Sequence, residues 1–163
     1  MPVQTTYSIN HDALDLGMLV SGRLDDRITL LNGEDKVIRF GKGVTSETGG
    51  DKYKKDIGKL PVAETTADMF AGIVKKEHYR ATRDGEEFGA TAKMDMTVVT
   101  EGEIAVLVLE EVLPGDTVFW RVGEEGNGDF CKSAGADDTL AVELPYKFEQ
   151  GAAAGGIATI LLK

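Results

Sequence analysis

The sequence predicts an all-β fold, a single-domain antiparallel β-barrel or sandwich with little helix. Eight short segments rich in β-branched and aromatic residues follow one another along the 163 residues, and turn signals separate nearly all of them. Strands spaced by about 8 to 12 residues are typical of a sandwich or barrel. Only Ala63 to Phe70 has some helical character, and its two adjacent threonines weaken that interpretation. The pattern does not separate a jelly roll from another β-barrel.

The strand candidates are bounded by residues that tight turns accept, such as Asn32-Gly33 and Pro114-Gly115-Asp116. Met94 to Leu109 is expected to form the best hairpin, with Glu101-Gly102-Glu103 at its bend. The candidates are Leu16 to Val20, Lys36 to Phe40, Gly72 to Lys76, Met94 to Val99, Ile104 to Leu109, Thr117 to Val122, Leu140 to Leu144 and Ile157 to Leu162.

The segment from Thr100 to Val122 consists of two strongly β-forming runs joined by a Pro-Gly-Asp turn. Ile104, Val106 and Val108 fall on one face of the first run, and the residues between them are also apolar. A strand with two apolar faces is unsuited to water on either side. We therefore expect this strand to be covered on both faces, by its own chain or by another molecule.

Met1 to Asp12 reads as an extended N-terminal arm ahead of a β-rich body over residues 13 to 163. A disordered terminus is an equally good interpretation of these residues. No internal repeat or linker divides the body. A chain of this length buries roughly 68 to 70% of its unfolded surface without disulfides or metals.

The formal net charge of −10 and a pI near 4.7 argue against direct binding to nucleic acid, which needs a positively charged surface. The densest basic run, Lys52 to Lys59, is expected to be a solvated loop, with contact to an acidic protein surface as the alternative. The single cysteine, Cys131, leaves no intramolecular disulfide. With neither a signal peptide nor an apolar run of about 20 residues, we expect cytoplasmic synthesis and no membrane contact.

The side chains that carry most catalytic and metal chemistry are not arranged in motifs here. His11 and His78 belong to no zinc spacing, and Asp25-Asp26 and Asp137-Asp138 form no calcium loop. Cys131 is expected to be a small, largely buried hydrophobic residue. The glycine-containing segments lack the spacing or the charge that phosphate loops need, so they are interpreted as turns. The sequence therefore predicts no enzyme, no metal and no cofactor.

Phe119 and Trp120 alternate across one strand candidate, so they should point to opposite faces. Core packing is the favoured environment for Trp120, and a buried contact with a partner is the alternative, because tryptophan is enriched at interfaces.

Several segments share a common order of glycine-flanked strands, with a Leu-Pro pair ahead of a Phe-Ala-Gly-Ile-Val strand and a glycine-rich terminal strand. Taken together they resemble the structural cement proteins of tailed bacteriophage heads, over about Val37 to Leu162. Arg39 stands where that family often has proline, and the Lys52 to Lys59 loop looks individual; these departures put surface details in doubt, not the family. The segments are KVIRFGKGV (36 to 44), KLPVAETTADMFAGIVKKEHY (59 to 79), FGATAKMDMTVVTEGEIAVLVLEEVLPGDTVFWRV (88 to 122), GDFCK (128 to 132) and GAAAGGIATILL (151 to 162).

The resemblance implies a jelly-roll or β-tulip-like domain that decorates the outer surface of an assembled major capsid lattice and stabilises the head without catalysis. The implied partners are the major capsid protein and further copies of this chain, as a homodimer or homotrimer. Its place would be the outer surface of the virion, after synthesis in the host cytoplasm. Val3, Tyr7 and Ile9 are the candidate anchors of the arm, and Phe119 and Trp120 are further interface candidates.

Two other functions compete with this interpretation. A phage tail or receptor-recognition β-domain would need a sugar-binding face with several exposed aromatic residues, and 7% aromatic content counts modestly against it. A small β-barrel hydrolase would need Cys131, His78 and a carboxylate to converge.

Overall fold

The computed structural model describes residues 14–20, 24–47, 56–77 and 88–163, and most of their regular structure is β-strand. This confirms the all-β prediction. Helix within these ranges is restricted to two 3₁₀ turns, at Ala67–Met69 and Asp137–Thr139. The strands are β1 (Asp26–Asn32), β2 (Ile38–Arg39), β3 (Gly43–Glu47), β4 (Ile57–Lys59), β5 (Phe70–Val74), β6 (Gly89–Ala90), β7 (Asp95–Leu107), β8 (Thr117–Arg121), β9 (Phe130–Cys131), β10 (Ala141–Gln150) and β11 (Ile157–Leu162).

The first half of β7 belongs to a closed ring of five strands. β7 pairs with β1 and β5, β1 with β4, β4 with β3, and β3 with β5. All of these pairings are antiparallel except that between β1 and β4. We call this ring the first barrel; the short antiparallel ladder of β2 and β6 contributes Ile38 and Ala90 to its interior.

The second half of β7 belongs to another sheet, in the order β7, β11, β10, β8 and β9. β11 pairs antiparallel with β7 from Leu107 to Gly102 without a register shift. A parallel bridge between Val108 and Phe130 joins β9 back to the end of β7, which closes this sheet as well. We call it the second barrel.

The buried apolar side chains form two hydrophobic cores, one in each barrel, and β7 contributes to both. β5 of the first barrel also contributes to both, through Val74 in the first core and Ile73 in the second. Met96 and Val98 belong to the first core, whereas Ile104 and Val106 belong to the second. Between these pairs, Gly102 has a φ of 119°, a value that glycine adopts without penalty. Ala105, on the opposite face of β7 from Ile104, is buried too. The expected cover on both faces of this strand is therefore confirmed, and the chain itself provides it.

The hairpin expected over Met94 to Leu109 is wrong. β7 runs straight through Glu101-Gly102-Glu103, because Gly102 pairs with Leu162 on β11 while Glu101 pairs with Asp26 on β1. Partners distant in sequence, rather than the local glycine, determine that the chain does not reverse.

Other strand predictions differ from the structure mainly in extent. The segment from Leu16 to Val20 makes only an isolated bridge, between Leu19 and Ile104. Five strands were missed, namely β1, β3, β4, β6 and β9; four of them have only two to five residues. Within the described ranges, no helix has the length and apolarity needed to cross a membrane.

Candidate functional site

Trp120 lies entirely in the core of the second barrel. Its exposure is 0%, and the ring of Phe70 packs edge-on against it with centroids 5.0 Å apart. The indole also covers Gly43 so closely that a Cβ atom there would fall 2.5 Å from Nε1. The core environment favoured by the sequence is therefore the one observed, and Trp120 has no surface through which to contact a partner.

Phe119 points to the other face of β8 and is half-buried. Its strand neighbours are Glu143 on β10 and Cys131 on β9. This leaves part of the ring available for contact, so Phe119 remains an interface candidate. The arm anchors Val3, Tyr7 and Ile9 lie outside the described residues.

Cys131 is buried and lies beside the Arg121 side chain. Burial raises the pKa of the Cys131 thiol, which outweighs the opposite effect of Arg121. The Cys131 S–H donates a hydrogen bond to the carbonyl oxygen of Ser133, with 3.3 Å between the sulfur and the oxygen. The thiol is therefore protonated at neutral pH and is a poor nucleophile. His78, the other side chain that a hydrolase would need, lies outside the described residues.

The two carboxylate pairs, Asp25-Asp26 and Asp137-Asp138, lie at different places in the fold, the first at the start of β1 and the second in a 3₁₀ turn. Asp25 binds the Arg27 side chain, and Asp137 begins a 3₁₀ turn with a φ of 51°. In the parts of the chain that the structure describes, no group of three or more histidine, cysteine, aspartate or glutamate side chains could hold a metal ion.

Asp129 forms an ion cluster between the barrels that the sequence analysis missed. It is only 4% exposed, and its carboxylate binds the Arg39 guanidinium and lies 3.4 Å from Lys42 Nζ. Arg39 ends β2 and Lys42 directly precedes β3 of the first barrel, whereas Asp129 precedes β9 in the second. Arg39 is therefore part of a contact between the barrels.

A groove of about 360 Å³ lies where the two barrels meet. The exposed ring of Phe88 forms one wall and packs edge-on against Phe40, with centroids 5.1 Å apart. Lys76 Nζ lies 5.5 Å from the centre of the Phe88 ring and binds the Asp15 carboxylate. The groove is lined by Asp15, Leu16, Arg39, Phe40, Lys76, Phe88 and Ile157.

The chain is held firmly where it passes the rim of this groove. The Gly17 N–H donates to the Ala105 carbonyl at 2.8 Å, and the Lys76 N–H donates to the Gly17 carbonyl at 2.8 Å. Gly17 has a φ of 74°, and a Cβ atom would fall 2.7 Å from the Val74 oxygen, so no larger residue fits. The backbone at Gly17 is therefore held against β7, directly after Leu16, which lines the groove.

The negative charge is concentrated in the C-terminal part of the chain. Residues 104–163, which form most of the second barrel, carry ten carboxylates and four basic side chains, a net charge of −6.

Exposed large apolar side chains are scattered along the described residues, at Met18, Leu24, Ile28, Val62, Met69, Phe88, Met94 and Leu113. Phe88 is the aromatic member of this set, and sequence reasoning missed it because its setting depends on Phe40, 48 residues away.

The chain matches the model of a family described as "Structural cement protein (E217 gp24/Pam3 gp6)" over residues 3–163. No curated protein matches it. Among solved structures, it is similar to a chain from "The capsid of Myoviridae Phage XM1", with a TM-score of 0.69 and 18% identity, over 100% of this chain and 98% of that one. At that identity the similarity shows a shared fold.

Proposed function

The chain belongs to the structural cement protein family, and we propose from this membership that it binds the outer surface of the major capsid protein lattice of a phage head. Family membership assigns it to capsid decoration and stabilisation, and to the virion. The observation that carries the proposal is the family match over residues 3–163, nearly the whole chain.

The physical properties of the chain support a binding role of this kind. A free copy must stay soluble before assembly, and the net negative charge of the second barrel favours solubility. We propose that the arm, with Val3, Tyr7 and Ile9 as anchors, and the half-buried Phe119 provide contacts to neighbouring subunits. An extended arm can add to an exposed sheet edge through backbone hydrogen bonds that depend little on side-chain identity.

The proposed role is structural rather than catalytic. Cys131, the nucleophile that a hydrolase would use, is buried and has a raised pKa. We further propose that the protein functions as a homodimer or homotrimer, because closed symmetry is the usual state of oligomers and capsids present local symmetry axes. Synthesis in the host cytoplasm completes the proposal.

The test uses expanded capsids that lack this protein. Purified protein should sediment with them to a saturating stoichiometry, and the decorated capsids should withstand a higher temperature before releasing DNA. Unexpanded procapsids and an equally acidic, unrelated protein are the controls. Absence of binding, together with equal heat resistance of capsids with and without the protein, would overturn the proposal. Binding to tails instead of heads would point to a receptor-recognition domain.

A further inference from the structure

A polar pocket of about 360 Å³ lies between the barrels, beside the Asp129 cluster. Its walls come from β2 with the residues that flank it and from the loop between β8 and β9. We call it the joint pocket, since a ligand in it would contact both barrels. Its polar lining consists of Lys36, Arg39 and Lys42 on one side and Glu124, Asn127 and Asp129 on the other.

Two buried polar atoms of this lining have no hydrogen-bond partner in the described part of the chain. Four buried side-chain nitrogen or oxygen atoms of the described residues lack one, and Arg39 Nε and Asn127 Oδ1 are two of these four. The orientation of the Asn127 amide is determined, because its Nδ2 donates to the Pro61 carbonyl, which can only accept. A buried donor or acceptor left unpaired costs free energy. The joint pocket therefore carries an unpaired donor from one barrel and an unpaired acceptor from the other.

This pair of atoms suits a neutral group that both accepts and donates hydrogen bonds. A carboxylate has acceptors alone, so it would pair with Arg39 Nε but repel Asn127 Oδ1 and the Asp129 carboxylate. An ammonium group has donors alone, and it would meet the charges of Arg39 and Lys42. A carboxamide accepts through its oxygen and donates through its nitrogen. Because these are separate atoms, a carboxamide can pair with both walls at once.

The rest of the lining is compatible with a carboxamide on a short aliphatic side chain. Lys36 and Glu124 are exposed, and their opposite charges offset each other, so together they favour an ion of neither sign. Val37 and Leu60 are half-buried apolar side chains of the same pocket. They suit the methylene groups that carry the amide in asparagine and glutamine.

We propose that the joint pocket binds the carboxamide of an asparagine or glutamine side chain of the major capsid protein. Arg39 Nε donates to the amide oxygen, and Asn127 Oδ1 accepts from the amide nitrogen. The inference rests on the proposed function for the identity of the partner, and it adds the chemical group that is recognised and the place where it binds.

The Arg39 Nε–H group reports binding directly in a nitrogen–proton correlation spectrum, where its signal is identified by its loss in Arg39→Lys. Titration with propionamide should shift this signal in a saturable manner. Propionate, propylammonium and propanol have a similar size, and at equal concentration they should not. A stronger response to propionate would make the pocket an anion site, and an equal response to propanol would make a hydroxyl the ligand. Either result overturns the proposal, as does a signal that responds to none of the four and shows contact with water only.

Asn127→Leu and Asn127→Asp form a matched pair of variants. Both lose the donation to Pro61, but only aspartate keeps an acceptor oxygen at this position. The response to propionamide should therefore persist in Asn127→Asp and disappear in Asn127→Leu. Fluorescence of the buried Trp120 verifies that each variant is folded. Equal responses in the two variants would overturn the proposal.

Capsid binding distinguishes failure of this inference from failure of the proposed function. The unchanged protein and Asn127→Asp should bind expanded capsids, and Asn127→Leu should bind about tenfold more weakly. Equal binding by all three overturns the inference and leaves the capsid function standing. If Asn127→Leu instead changes the oligomeric state in light scattering with capsid binding unaltered, the occupant is a second copy and the inference is again wrong. If the unchanged protein binds no capsids, the proposed function fails, and with it the identity of the partner, whatever the titration shows.

Discussion

Replacing Asp129 with asparagine should lower the free energy of unfolding by about 3 kcal/mol. The carboxylate is 4% exposed and interacts with two cations, Arg39 and Lys42. Removing one partner from a buried ion pair costs roughly 3 to 5 kcal/mol, because the remaining charge stays desolvated. The Arg39 and Lys42 side chains retain 22% and 14% exposure, so water partly compensates them and the lower end of the range applies.

The assay is urea unfolding followed by the fluorescence of Trp120, the single and fully buried tryptophan. The urea concentration at the unfolding midpoint should fall, while the slope of the free energy of unfolding against urea concentration is unchanged. For a domain of this size, the loss corresponds to a decrease in Tm of about 6 to 12 °C. Glu124→Gln, an exposed carboxylate in the same loop, should stay within about 0.5 kcal/mol of the unchanged protein.

A double-mutant cycle tests whether the ion pair is the cause. If it is, Asp129→Asn should cost less in an Arg39→Met background than alone, by about 1 kcal/mol or more. Strict additivity, or an Asp129→Asn protein as stable as Glu124→Gln, would refute the reasoning and reduce the cluster to a neutral contact.

Three further predictions concern individual positions. Gly102→Ala should destabilise the protein by about 1 to 3 kcal/mol in urea unfolding, because φ is 119° and the new Cβ atom meets Asp25 at 2.9 Å; Gly115→Ala, with positive φ but open space, should cost less, and equal losses would contradict the contact argument. Phe70→Ala should cost about 3 kcal/mol and shift the emission of Trp120 to the red, since the two rings are in edge contact; an unchanged spectrum would count against that contact. The pKa of the Cys131 thiol is raised in the folded protein, so the contribution of this group to stability is complete below the thiol's unfolded pKa and is lost as pH rises through the folded value. The free energy of unfolding should therefore fall more steeply with pH in the alkaline range for the unchanged protein than for the Cys131→Ala variant. Parallel pH profiles of the two proteins would disprove this prediction.

Sequence reasoning succeeded where the chain's local pattern carries the information. β8 and β11 were predicted nearly to the residue, because alternation and flanking turns define them. The core position of Trp120 likewise follows from the alternation of buried residues along β8. Where local pattern decides the outcome, periodicity and turn chemistry were sufficient.

It failed where partners distant in sequence decide the outcome. Gly102 lies in a segment that favours a turn. The strand nevertheless continues through it, because Glu101 pairs with Asp26 on β1 and Gly102 pairs with Leu162 on β11. Asp129 ends a glycine-containing segment that was interpreted as a turn, and its ion pair forms with Arg39, 90 residues away in the sequence. The groove at Phe88 was missed for the same reason, since its walls come from segments that no single window contains.

The two barrels are connected at several places, among them β7 and the Asp129 cluster, and this determines how they respond to load. β7 spans both, with a length of about 44 Å for its 13 residues. A second connection consists of the Asp129 cluster and the adjacent hydrogen bond from the Gly43 N–H to the Gly128 carbonyl at 2.8 Å. One connection would leave the barrels free to bend about it, whereas two connections apart from each other resist bending. A decoration protein stiffens a shell only if its own body transmits force between its contacts. Asp129→Asn should therefore weaken heat protection of capsids more than it weakens capsid binding, because binding needs the surface and protection needs the rigid joint.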